Sequence, residues 1–273
     1  MQGLHDFIPT QTKTDYINQL LKVGFDTIDF GSFVSPKAIP QLRDTSEVLA
    51  GLDLSNTRSK LLAIVANKRG AEAALSYDEI NYLGFPLSIS EEFQKRNTNK
   101  SIVDALSVVS DIQDMVAEKG KEQVVYISMG FGNPYGEAFN EEIVAEFVER
   151  LVELGIGIIS LADTIGVAEP ELIKKIFKTS ITAYPTTEIG AHFHSTPEKA
   201  LEKIDAAYHA GCRRFDVAIK GFGGCPMAKD ELTGNLATET LLGYLNSIDV
   251  DHGLNSQAFE DAMHKSLNVF PIR

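Results

Sequence analysis

The sequence predicts an α/β fold, a TIM-type (β/α)8 barrel whose first strand is missing from these 273 residues. Three observations predict it. Amphipathic helical stretches alternate with short β-branched runs in a unit of roughly 30 residues, the pattern of a parallel sheet with crossover helices. The length suits a single barrel, a fold that commonly fills one domain of about 250 residues. The chain also opens on what reads as the helix after a strand, and only seven strands follow.

The elements run in order. A helix over Thr12–Val23 ends at Gly24, a C-cap residue free to adopt positive φ, and a strand follows over Asp26–Phe30. Helix Gln41–Leu49 precedes strand Leu61–Ala66, and helix Arg69–Leu75 precedes strand Glu79–Pro86. The longest helix, Ile102–Glu118, leads to strand Gln123–Met129, and Glu141–Leu154 leads to Gly157–Leu161. Helix Pro170–Thr179 is followed by strand Glu188–His194, and helix Pro197–Ala210 by strand Arg213–Ile219. Helix Leu236–Leu245 and a helical tail complete one domain over residues 1–273. Gly, Pro, Asn or Asp marks each turn, and no repeat exists beyond the βα period.

Composition narrows the function classes. With 44% hydrophobic and 23% charged residues the chain is an ordinary globular one. A formal charge of −13 repels a phosphate backbone, which excludes nucleic acid as a partner. No stretch approaches the roughly 20 apolar residues that cross a bilayer. The N-terminal segment has neither a basic region nor an apolar run of the secretion type. Two cysteines, Cys212 and Cys225, are too few for a disulfide framework. A cytoplasmic protein with reduced thiols is expected.

His192 and His194, two apart in a strand, leave the same face, as two ligands of one metal ion must. A hydrogen-bonding pair at a strand end is the plainer reading. Their place at the carboxyl end of a barrel strand, where barrel enzymes keep their chemistry, favours the metal. Downstream, GFGGCPMAKDELTGNLATE spans Gly221 to Glu239. Its glycines permit close backbone approach and Pro226 fixes the chain after Cys225, holding that thiol at the barrel mouth. A tight turn with an inert cysteine is the alternative. Asp163, in SLADTIG, either caps the next helix or takes part in chemistry. Lys37, in SFVSPK, either meets a phosphate or carboxylate of a ligand or is simply solvated.

Together these motifs resemble the hydroxymethylglutaryl-CoA lyases, barrel metallolyases related to isopropylmalate and homocitrate synthases. The resemblance covers nearly the whole chain, through IPTQTK, SFVSPKAIPQLRD, YISMGFGNPYG, SLADTIGV, AHFH, GFGGCP and GNLATE. SFVSPK and GGCP are specific to the lyase branch. The resemblance implies that His192, His194 and Asn235 bind a divalent metal, Mg²⁺ or Mn²⁺, with the nitrogens slightly favouring Mn²⁺. It also implies that Cys225 donates a proton to the enolate product, with Asp163 and His192 assisting the initial proton removal. Ser32, Tyr126 and Ser160 then line the acyl pocket.

The implied reaction splits 3-hydroxy-3-methylglutaryl-CoA into acetyl-CoA and acetoacetate, and a homodimer is expected with it. Three departures stand out. The family's opening strand, ending in an Arg-Asp pair, lies outside these residues, and we expect it upstream of Met1. Asp29, counted among the catalytic residues, replaces a glutamate and shortens the reach by about 1.5 Å. The span from Cys225 to Asn235 is one residue longer than usual. A Claisen-type synthase of the same barrel class is one alternative, disfavoured by the cysteine loop. A non-catalytic barrel is the other, favoured if the short N-terminus is genuine.

Overall fold

A computed structural model describes residues 1, 4, 6–223 and 233–270. Seven parallel strands form one curled sheet, paired in chain order, with helices between them. They are β1 (Thr27–Ser32), β2 (Lys60–Ile64), β3 (Ile80–Ser88), β4 (Glu122–Ser128), β5 (Ile158–Asp163), β6 (Glu188–Phe193) and β7 (Arg214–Asp216). The helices are α1 (Thr10–Val23), α2 (Thr45–Ala50), α3 (Lys68–Ala74), α4 (Glu91–Thr98), α5 (Ile102–Glu118), α6 (Glu141–Glu153), α7 (Pro170–Ala183), α8 (Pro197–His209), α9 (Thr238–Ser247) and α10 (Ser256–Val269). This is the barrel-like architecture that the alternating pattern predicts, with the predicted number of strands.

Alternation along each strand divides the sheet into two faces. The outer face carries Phe85, Leu87, Val125, Ile127, Ile159, Leu161, Ile189 and Phe193, all buried against helical residues such as Val109, Ile112, Val148, Leu151 and Phe177. Phe131, Phe177 and Phe193 pack edge-on or stacked, with centroids 5.6 to 6.4 Å apart, and so join β6 to α7. The inner face is smaller: Leu62, Tyr82, Val124 and Ile158 form a separate apolar cluster, with Ile64 and Tyr126 against it. This apolar floor leaves the carboxyl ends of the strands to polar side chains.

Local chemistry explains the boundaries. Asn67, Ser101 and Asn140 each accept a hydrogen bond from the third residue of the helix that follows, satisfying one of the free amides there. Gly24 caps α1 at φ 85°, as its position predicts. Two elements differ from the sequence reading. The polar stretch after β3 forms α4, capped by Ser90 Oγ and held by buried Phe93 and Gln94. Its apolar face is too narrow to give a helical period. β7 ends at Asp216 and not at Ile219, because the next amides turn to the returning chain: Ala218 N donates to Leu236 O and Thr238 N to Ala218 O.

The helical tail is α10, which packs against α1. Gln19 Nε2 donates to Ala258 O at 2.9 Å, and Val23, Ile219, Ala258 and Ala262 bury together. Among the described residues, no helix is long and apolar enough to cross a membrane.

Candidate metal centre at the barrel rim

His192 lies on the inner face of β6, and His194 stands one residue past the strand's end on the same side. Their ring centroids are 5.7 Å apart. Each ring has one nitrogen occupied. His192 Nδ1 lies 3.3 Å from Asp216 Oδ2, and His194 Nδ1 lies 3.0 Å from Thr233 O. Such contacts settle the tautomer and leave both Nε2 atoms as the free donors, the usual arrangement behind metal-binding imidazoles.

Asn235 joins them because the chain returns antiparallel along the end of β6. Ser195 N donates to Gly234 O, Leu236 N to Phe193 O, and His194 pairs with Asn235 across an isolated bridge. Asn235 Nδ2 donates to Phe222 O at 2.9 Å, so its amide oxygen is left over. Gly221, at φ 63°, makes this approach possible: a Cβ there would fall 2.7 Å from Asn235 O. Two imidazole nitrogens and an amide oxygen, each with its other polar atom tied back to protein, are a donor set that a divalent cation accepts. Among the described residues no group of three or more His, Cys, Asp and Glu side chains is gathered closely enough for a metal, so the amide oxygen is essential to this set.

Burial pushes the pKa of His194 down to about 4, and the neighbouring His192 adds to the push. The ring is therefore neutral near pH 7, the form that ligates. Beneath the pair, Asp216 accepts from Ser160 Oγ at 2.8 Å. Burial works against its charge, but His192, Arg214 and the Ser160 hydroxyl outweigh that and hold its carboxyl below the ordinary carboxylate range. Neither Asp216 nor Arg214 stood out in the sequence. The available signal was the alternation in RFD, which turns both to the lumen beside the histidine strand. Gly190 makes room for the arginine, since a Cβ there would sit 2.8 Å from Arg214 Cδ.

The other expected site residues fall in different places. Tyr126 meets His192 edge-on, centroids 5.4 Å apart, and burial keeps its hydroxyl protonated well beyond the normal range. Asp29 is on β1. Withdrawal from bulk solvent raises its pKa, Asp216 raises it further and His192 opposes. Water still reaches this residue, which softens the first cause. Ser160 is wholly buried and donates to Asp216. Ser32 is buried too, donating to Ile64 O and accepting from Val34 N. Lys37 is exposed beyond β1, in the solvated setting.

Asp163, at the end of β5, is the most enclosed of the expected acids. Its side chain is fully buried, and it accepts from Val167 N at 2.9 Å, Ala168 N at 3.0 Å and Lys203 Nζ at 2.6 Å. Its oxygens are thus engaged by the turn that follows β5 and by Lys203. Cys225 lies outside the described residues. Cys212 is buried behind the sheet with its thiol pushed up to about 12 by burial, and takes no part in the site.

Comparison with known proteins identifies the family. The HMGL-like family matches residues 1–265. The hydroxymethylglutaryl-CoA lyase of Bacillus subtilis is 35% identical over 244 residues, covering 89% of this chain and 81% of that protein. A Pseudomonas aeruginosa lyase named for 3-hydroxy-3-isohexenylglutaryl-CoA and hydroxymethylglutaryl-CoA is 33% identical, covering 93% and 84%. The crystal structure of the Bacillus subtilis enzyme superposes with a TM-score of 0.91 at 33% identity, over 100% of this chain and 92% of that one. An Acinetobacter baumannii HMG-CoA lyase, solved with coenzyme A and 3-methylmalate, gives 0.90 at 32% identity, over 98% and 87%. By its sequence and its sheet, this chain belongs to the HMGL-like family.

Proposed function

We propose that this chain is a carbon–carbon lyase that cleaves 3-hydroxy-3-methylglutaryl-CoA to acetyl-CoA and acetoacetate, using a divalent cation held by His192, His194 and Asn235. The observation that carries the metal assignment is the matched use of donors: every second polar atom of the three side chains is engaged, and the free ones belong to residues adjacent at one rim. When bound, the cation, Mg²⁺ or Mn²⁺, would supply charge stabilisation for the substrate hydroxyl oxygen as it loses its proton ahead of carbon–carbon cleavage.

The protein's own residues do the remaining work. Asp216 holds His192 in one tautomer and orientation, while Thr233 does so for His194. Asp29, with its raised pKa and water access, is the acid suited to exchange a proton near neutral pH. Cys225 is assigned the donation of a proton to the acetyl-CoA enolate. In support, the chain on both sides of it is anchored at the ligands: Thr233 O contacts His194, and a Cβ on Gly223 would lie 2.8 Å from Asn235 Nδ2. The acyl-CoA substrate follows the known relatives, and the free thiol of Cys212 fits a cytoplasmic setting.

Acetoacetate release from the thioester tests this reading. Turnover should require added Mn²⁺ or Mg²⁺ and cease with a chelator. Cys225→Ala should retain Mn²⁺ binding while losing at least about a hundredfold in turnover. Full activity in that variant would remove the thiol's role; metal binding without any cleavage by the parent protein would remove the lyase assignment.

A further inference from the structure

Lys203, on α8, has no solvent-exposed side-chain surface. Its ammonium donates to Asp163 Oδ2 at 2.6 Å, Gly166 O at 2.9 Å and His194 O at 3.1 Å, which uses all three of its hydrogens. Those acceptors come from the end of β5, the turn after it and the end of β6. We propose that Lys203, acting with Asp163, is a positioning residue that sets the main chain of His194 and thereby aims its imidazole at the metal. The inference rests on the metal-site reading given above.

The energetics favour positioning over simple stabilisation. Burying an ammonium and a carboxylate is costly before their attraction offsets it, and apolar side chains of similar volume often serve stability as well or better. What apolar side chains do not supply is a single point on which three separate acceptors converge. Here that point governs His194 from several sides. Asp163 O accepts from His194 N at 3.2 Å, and Lys203 binds the carbonyl of the same histidine. Asp163 also winds the following turn around itself through Val167 N and Ala168 N. That turn brings Gly166 against Thr233, where a Cβ would lie 2.9 Å from Thr233 Cγ2, and Thr233 O is the partner of His194 Nδ1. Main chain and ring are thus referred to one buried cation. Arginine would not replace it, because a flat fork of five donors does not fit a compact three-acceptor pocket.

The test uses the double variant Asp163→Asn/Lys203→Met, which removes both buried charges together and so avoids leaving either one unpaired. Circular dichroism reports folding, electron paramagnetic resonance reports Mn²⁺ affinity, and imidazole ¹⁵N spectra of metal-free protein report the His194 tautomer. The expected result is a folded protein with Mn²⁺ affinity lowered roughly 10- to 100-fold, the size seen when support behind a ligand is lost. The His194 signals should change from one tautomer to a mixture. Asp163→Asn/Lys203→Gln is read in the same way if the methionine pair does not fold. Parental affinity and an unchanged His194 spectrum in a folded variant would overturn the proposal. Absence of Mn²⁺ binding by the parent protein would instead refute the metal site, and the tautomer measurement would still decide the role of Lys203.

Discussion

His194 is 4% exposed, and burial followed by the nearby His192 brings its pKa from 6.5 to about 4. Above pH 6.5 the imidazole is neutral in both folded and unfolded chains. As the pH falls toward 4, the unfolded chain takes up a proton that the folded one refuses, so stability is lost progressively, by up to about 3 kcal/mol. Asp29 acts in the opposite sense: its raised pKa lets the folded state keep a proton that the unfolded state has released. In urea titrations of metal-free protein between these limits, His194→Gln should flatten the loss of stability on acidification and Asp29→Asn should steepen it. A slope indifferent to both substitutions would dismiss this account. The histidine pair was legible in the sequence because strand alternation alone puts residues 192 and 194 on one face. Lys203 and Asp216 were not, since their partners lie 40 and 24 residues away and only packing brings them together.

The element that completes the site is the short run from Thr233 to Ala237, which crosses the end of β6 and leads into α9. Its glycine-rich flank was visible in the sequence; its pairing with β6 was not, because a one-residue bridge leaves no periodic trace. Gly221 is where this element is most exposed to mutation. At φ 63°, and with Asn235 O 2.7 Å from where a Cβ would sit, Gly221→Ala meets both an unfavourable backbone and main chain that has no rotamer to yield. We expect about 2 kcal/mol of lost stability and weaker Mn²⁺ binding, measured by chemical denaturation and metal titration. Retained affinity would show that the crossing segment places Asn235 without this turn. The shortening of β7 has the same origin, as that segment takes the amides that a longer strand would offer its neighbour.

For the molecule as a whole, the proposed ligands join β6, inside the sheet, to a segment between β7 and α9, so metal binding there would tie the histidine strand to the end of the barrel sequence. Binding to the folded state alone stabilises by mass action, about 2.7 kcal/mol at a hundredfold excess over Kd. Mn²⁺ should therefore raise the melting temperature of the parent protein and leave His192→Ala/His194→Ala unmoved. An equal rise in both would place the ion elsewhere. The sequence by itself determined the barrel class, the order of its strands and the shared face of the two histidines, because hydrophobic period and side-chain alternation act over a few residues. Tertiary structure alone decided which atoms of those histidines are free, that Asp163 is buried against Lys203, and that Asp216 stands behind His192. Those outcomes depend on hydrogen bonds between residues far apart in the chain, whose geometry exists only once the sheet has curled and the helices have packed on it.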